Sequence, residues 1–449
     1  MTGELKKNRA FMGVVEDSLL LAAARRQRVL ISFIYRLLVL ATIATSLFGM
    51  GAFAQSTTSQ LKAPRFKLDP NWPKPLPNHW QIGPIWGLFA DDRGLVWIAN
   101  LSNELDEYDL ALDRGEGDCC SRAPQVIAFN QAGDVVKSWF VSNGQSGDGC
   151  NGFKCIVQPH GIYVDYKHNV WVVGNGKGDS HIVKFDYDGK FLMQIGGSDA
   201  QGCCGNQDTE NLGGGVGIAV WPATNELFVT DGYTNRRVIV FDADTGKFKR
   251  MWGAYGKQPP QSVLTEAVRR GPPGSFRPGA TPAGEPAGPV PCKSTSTNCS
   301  MTTPDPVKTY EGPGPDQWRI VHDVRITPDG VVWVADRGNS RIQQFHLDGT
   351  FIRESFVNRK AKVTTGTAYG FAFSKDPDMK YVYVADGGGG KRVHILDRKT
   401  LEEIGFVGGY GGFGPGQFSH LHNADTDPSG NLYTGENTGR KVQRWVLLK

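Results

Sequence analysis

"HGIYVDYKHNVWVVG", residues 160–174, decides the fold, because the chain writes the same pattern repeatedly. Near-gapless copies are "WGLFADDRGLVWIAN" from Trp86, "HDVRITPDGVVWVAD" from His322 and "HNADTDPSGNLYTGE" from His422. In all four, the first residue stands eleven positions before an aromatic: Trp97, Trp171, Trp333 or Tyr433. "VGIAVWPATNELFVTD" from Val216 and "YGFAFSKDPDMKYVYVAD" from Tyr369 are two more copies, with small insertions at the turn. Each copy alternates β-branched and aromatic residues around a polar Asp/Gly or Asn turn, which suits two short antiparallel strands. Further strands follow, as in "RVIVFDADTG" and "FKRMWG". One four-stranded unit cannot bury both of its faces, so the units must stack, and closing them into a ring leaves only short edges. Six units of about 40 residues predict an all-β chain folded as a six-bladed β-propeller. The 57 glycines fit so turn-rich a chain. An open β-solenoid is the competing architecture, but its repeats are usually shorter.

The first strand of a propeller blade lines the central channel, so the first residue of each copy belongs to a ring about the axis. In order these are Trp86, His160, Val216, His322, Tyr369 and His422. The histidines fall in blades two, four and six, roughly 120° apart. Three imidazoles converging with a fourth direction open form the ligand set of a catalytic zinc site, whereas a structural site would be closed by a fourth protein ligand. Residue type alone also admits iron, manganese or copper, and three histidines hydrogen-bonding across a wet channel are the non-metal alternative. Two further residues belong near the same mouth. "DGYTNRRVIVF" places Tyr233 just after the second strand of blade three, and "ADRGNSRIQQF" places Arg337 at the matching offset in blade four. A tyrosine beside a divalent metal can serve as a base, and an arginine can grip a carboxylate through two parallel contacts. Ordinary turn chemistry explains both segments equally well when each is taken alone.

The ends and the insertions differ from the blades. Residues 1–54 carry a basic head, the apolar run "LLVLATIATSLFGMG" and then Ala52-Phe53-Ala54, the signature of a cleaved signal peptide. An uncleaved membrane anchor is the rival, but the apolar centre is short for a bilayer span. The expected product is secreted or periplasmic, not stably inserted in a membrane, and monomeric. Residues 55–79 read as an N-terminal extension and residues 80–447 as the propeller. Without residues 1–54, the chain has 42 Lys/Arg against 42 Asp/Glu, with no basic block to track a phosphate backbone, so nucleic acid is not an expected partner. Residues 258–317 hold thirteen of the 26 prolines and read as a long irregular insertion between blades three and four, either a solvated excursion or a lid. Eight cysteines in an exported chain should mostly pair. Cys150 with Cys155 and Cys292 with Cys299 are candidate local bridges, and the adjacent pairs Cys119-Cys120 and Cys203-Cys204 are candidates to link to each other.

These repeats resemble NHL repeats, and their arrangement is similar to that of the peptidyl-α-hydroxyglycine α-amidating lyases, or peptidylamidoglycolate lyases. The resemblance covers the blades and carries over onto His160 in "QPHGI", His322 in "RIVHDV", His422 in "SHLHN", Tyr233 in "DGYTNRR" and the arginine after "AD", Arg337. It implies a zinc ion on the three histidines, Tyr233 as base and Arg337 on a terminal carboxylate. The implied substrate is a small peptide or similar molecule ending in α-hydroxyglycine, cleaved to an amide and glyoxylate. Three departures stand out. Leu101 occupies the place of a second family arginine. Asn423 replaces the aspartate of a structural calcium site, which makes calcium a weaker expectation. His420 and Thr234 replace a methionine and a cysteine. The chain also lacks the copper monooxygenase that makes the lyase's substrate. A metal-assisted hydrolase and a non-catalytic propeller that binds a protein or glycan are the competing functions.

Overall fold

The computed structural model describes residues 61–143, 147–198, 205–261, 263–266, 299–302 and 309–449. The expected leader, Cys203, Cys204, Cys292 and most of the 258–317 insertion lie outside the described residues. Six four-stranded antiparallel sheets form the six blades. Their inner strands are Ile85–Ala90, Pro159–Val164, Gly215–Trp221, Val321–Ile326, Gly370–Phe373 and Leu421–Thr426. The blades are those that the repeats predict, with one difference. The outer strand of blade six is Arg65–Asp69, which pairs antiparallel with Val442–Leu448. The N-terminal extension expected over residues 55–79 therefore contributes the fourth strand of the last blade, which ties the two ends of the ring together. The insertion begins with a short hairpin, Val263–Glu266 against Cys299–Thr302. Among the described residues, no helix is long and apolar enough to cross a membrane.

The repeat signature has a physical cause. In each near-gapless copy, the aromatic residue is buried between blades and its polar atom reaches back to the turn. Trp97 Nε1 donates to Asp91 at 2.8 Å, Trp171 Nε1 to Asp165 at 2.9 Å, Trp333 Nε1 to Thr327 at 3.2 Å and Tyr433 OH to Asp427 at 2.9 Å. The same Asp165 carboxylate accepts the Lys167 and Asn169 amides, each at 2.9 Å, so one side chain folds the turn and satisfies the buried indole.

The inner strands crowd the axis. A Cβ on Gly161 would meet the Val216 carbonyl oxygen at 1.8 Å, and one on Gly87 would meet the His160 carbonyl oxygen at 2.7 Å. This close approach is why glycine follows the ring position in "HGIYVD" and "WGLFAD".

Cys150 is bonded to Cys155, as their spacing suggests. The candidate link from Cys119-Cys120 to Cys203-Cys204 involves residues outside those described.

Asp165→Ala removes the acceptor of one buried indole and two turn amides. The expected loss is about 2–4 kcal/mol of unfolding free energy, read by denaturant titration, against less than about 0.5 kcal/mol for Asp188→Ala on an exposed turn.

Candidate metal centre

Irregularities in the inner strands aim the ring residues at the axis. Pairing of the first two strands shifts register between Pro159 and Gly161, between Val321 and Asp323, and between Leu421 and Asn423. His160, His322 and His422 are the residues stepped over, and Trp86 is stepped over likewise between Ile85 and Gly87. A bulge of this kind frees a residue from the ladder and turns its side chain, a common device beside functional sites. The strand period of two alone would leave the histidine facing as Ile162 does.

The three imidazoles meet as expected. All are buried, and one ligand atom from each lies within 4.8 Å of the others. Their ring centroids are 4.8 to 5.1 Å apart. His322 Nδ1 lies 2.5 Å from the Tyr369 carbonyl oxygen, and His422 Nδ1 lies 3.1 Å from Asn423 Oδ1. Both partners only accept there, so each Nδ1 carries the proton and each Nε2 keeps a free lone pair. His322 Nε2 and His160 Nδ1 have no hydrogen-bond partner. Buried polar atoms without partners are rare unless a ligand completes them. Burial pushes the His160 and His322 pKa values well below the ordinary imidazole value, with His422 and Arg337 adding repulsion at each. Burial, His420 and Arg337 together push His422 down to about 3. Three neutral imidazoles, two of them with an unpartnered buried nitrogen, fit a divalent transition metal.

Tyr233 and Arg337 also arrive where their offsets place them. Tyr233 OH stands 3.1 Å from His160 Nε2 and 3.3 Å from an Arg337 terminal nitrogen. The two loops are pinned by matching buried braces. Asp231 Oδ2 accepts Asn235 at 2.8 Å and Arg237 at 2.9 Å, and Asp336 Oδ2 accepts Asn339 and Arg341, each at 2.7 Å. The Asp, Asn and Arg of "DGYTNRR" and "DRGNSR" are thus turn residues, and the Tyr or Arg beside each Asp is what the turn presents. The Arg337 guanidinium is buried and packs over the Tyr369 ring at 4.7 Å. Among the described residues it ion-pairs with no carboxylate.

Trp86, Val216 and Tyr369 complete the ring, and with His160 and His322 they line a small axial cavity of about 20 Å³. The Trp86 ring stacks near His422 at 6.2 Å and meets His160 edge-on at 5.0 Å. His420 Nε2 lies 3.1 Å from Tyr369 OH, so this departure from the family pattern belongs to the site's wall. Leu101, at the place of the second family arginine, is fully buried. A cluster of Asp323, Arg325 and Asp425 also faces the channel. Sequence reading missed it because the repeat position three after the ring residue holds Phe89, Tyr163, Ala219, Arg325, Ala372 and Asp425, so nothing in the pattern pairs the charges.

Residues 319–345, the first three strands of blade four, match the NHL repeat. Peptidyl-glycine alpha-amidating monooxygenase A of Xenopus laevis is 27% identical over 304 residues, covering 64% of this chain and 24% of the frog protein. The Rattus norvegicus peptidylglycine alpha-amidating monooxygenase is 33% identical over 110 residues, covering 23% of this chain and 10% of that one. NHL repeat-containing protein 3 of Mus musculus is 22% identical over 302 residues, covering 66% of this chain and 61% of that protein. The chain thus spans about a quarter of the length of its frog amidating relative. A solved streptogramin B lyase structure is 13% identical, with coverage of 85% of this chain and 98% of that one and a TM-score of 0.45.

Burial, Lys391 and Arg337 push His420 down to about 4. Below pH 6.5 the unfolded chain binds a proton that the folded imidazole refuses, so stability falls as pH drops and the loss levels off near pH 4. In metal-free protein, His420→Met should flatten the fall in unfolding free energy between those limits by about 1.4 kcal/mol per pH unit, read by denaturant titration across the range.

Proposed function

We propose that this chain, an NHL-repeat propeller similar to the amidating monooxygenases, is an exported metal-dependent lyase. Its substrate on this reading is a peptide or small amide ending in α-hydroxyglycine, cleaved to the amide and glyoxylate. The observation that carries the reading is Tyr233 OH, held between His160 and the carboxylate-free Arg337 at the rim of three buried, neutral histidines. Export rests on the leader pattern in residues 1–54.

His160, His322 and His422 would hold the metal, with zinc favoured by an all-imidazole set that leaves a position open. A zinc ion bound there supplies Lewis acidity toward the substrate's hydroxyl oxygen. Arg337 pairs with the substrate carboxylate, which fixes the α-carbon beside Tyr233. In its deprotonated form the Tyr233 phenol takes the hydroxyl proton. The oxygen's electron pair then forms the aldehyde double bond, and the carbon–nitrogen bond breaks. The nitrogen gains the proton that the hydroxyl lost, so the reaction needs no oxidant and no water. The aromatic walls formed by Trp86 and Tyr369 limit access of bulk water.

Leu101 favours one second reading. With a buried apolar residue in place of the second arginine, the same centre would suit a substrate with a weaker anionic end, including an ester or lactone cleaved by metal-assisted hydrolysis.

Mass spectrometry of the purified protein should find about one zinc per chain, and the His322→Ala variant should lose it. Tyr233→Phe should keep the zinc and slow glyoxylate release from α-hydroxyglycine peptides by about 10²-fold or more. Arg337→Met should act mainly by raising KM for the carboxylate substrate relative to its methyl ester. No transition metal in the parent protein, even after zinc is offered, would end the lyase reading. Full metal without glyoxylate release, but with ester or lactone turnover, would favour the hydrolase.

A further inference from the structure

Farther along the strands that carry the histidines, the channel holds a charged cluster that no step above uses. Asp323 and Arg325 follow His322 by one and three residues, and Asp425 follows His422 by three. Arg325 Nε lies 3.5 Å from Asp323 Oδ2, and its Nη2 lies 3.7 Å from Asp425 Oδ2. The side chains of Arg325, Asp323 and Asp425 are only 15%, 13% and 8% exposed. The guanidinium also lies 5.3 Å from the centre of the Phe89 ring, which packs at 4.6 Å on Tyr163. Each carboxylate holds a neighbouring blade as well. Asp425 Oδ2 accepts the Ala90 amide of blade one, and Asp323 Oδ2 accepts the Phe371 amide of blade five, each at 3.1 Å. Burial works against the Arg325 charge, but the two carboxylates more than offset it and hold the guanidinium's pKa above its ordinary value.

The family resemblance implies a structural calcium ion in this channel, and the residues present do not fit one. Calcium takes six to eight oxygen ligands, usually with carboxylates among them. Asn423, at the position of the implied aspartate, is neutral, and its Oδ1 is already engaged with His422 Nδ1. Asn423 lines the same cavity as Asp323 and Arg325, so a divalent ion there would face a fixed positive charge.

We propose that the Arg325 guanidinium is the structural cation of this channel, held by Asp323 and Asp425 in place of bound calcium. Its own charge contacts and those of its two carboxylates reach blades one, four, five and six, the task a coordinated ion would perform. Because this cation is part of the chain, it cannot dissociate, and the propeller's stability is independent of free calcium. The proposal holds whether or not the histidine centre is catalytic.

The test is the melting temperature of zinc-loaded protein, dialysed free of calcium and measured with and without millimolar calcium. Bound calcium is counted by mass spectrometry on the protein as purified. The parent chain should carry no stoichiometric calcium, and its melting temperature should move by less than about 1 °C. Arg325→Ala leaves two buried carboxylates facing each other. It should melt roughly 5–10 °C lower, and calcium should restore at least half of that loss. The triple variant Asp323→Asn, Arg325→Met, Asp425→Asn should melt at one temperature with and without calcium. Stoichiometric calcium in the parent, or a gain of about 5 °C on adding it, would overturn the proposal. So would an Arg325→Ala variant that melts like the parent with no response to calcium. If Arg325→Ala folds only when calcium is present, the proposal is supported. If it folds in neither case, the parent and triple-variant measurements decide.

Discussion

Everything at the axis depends on ring closure. The three histidines lie in blades two, four and six, on chain segments that no local interaction brings together. They converge only because each blade's position is fixed by its neighbours, and the last blade is complete only when Arg65–Asp69 adds to Val442–Leu448. Asp69 reinforces that seam by accepting from Arg444 Nε at 3.1 Å, and the Lys62 carbonyl accepts from Tyr381 OH at 2.9 Å in blade five. Such pairing of the chain's two ends is entropically slow to form. Once formed, it completes the last blade with strands from both ends of the ring and makes the channel a fixed-radius scaffold.

On that scaffold, rigidity is built up in steps around the site. The bulges turn the histidines inward, and Tyr369 and Asn423 set which nitrogens face the centre. Two buried Asp–Arg braces then fix the turns that carry Tyr233 and Arg337. Buried ion pairs of this sort add little net stability, because desolvation offsets most of their attraction. Their effect here is positional. Asp231 and Asp336 each hold several donors of one turn at once, so the presented side chain has little freedom to drift.

The parts of this arrangement that repeat were legible in the sequence. The six-fold pattern gives the blades, and the ring position gives Trp86, the three histidines and Tyr369. The family resemblance singles out Tyr233 and Arg337. What stayed hidden is non-periodic. Nothing in "RFKLD" distinguishes a closing strand from an extension, because its partner lies near the other end of the chain. The bulges are invisible because they change backbone pairing without requiring a particular residue. Arg325, Asp323 and Asp425 read as ordinary polar residues of alternating strands until ring closure turns them toward a common axis.

The electrostatics of the site draw these pieces together. Arg337 is buried with no carboxylate beside it among the described residues, and it helps depress the pKa of all three histidines. A divalent ion on neutral imidazoles would therefore sit in a region that is already positive. At the other end of the channel the positive charge is compensated, since Arg325 lies between two carboxylates. Among the described residues no carboxylate neutralises the charge of Arg337. A substrate that brings a carboxylate to Arg337 and a polarisable hydroxyl to the metal relieves both demands together, whereas a neutral ligand relieves only one. On the proposed reading, Arg337 would act as a selectivity device, since its charge favours an anionic guest of the right reach.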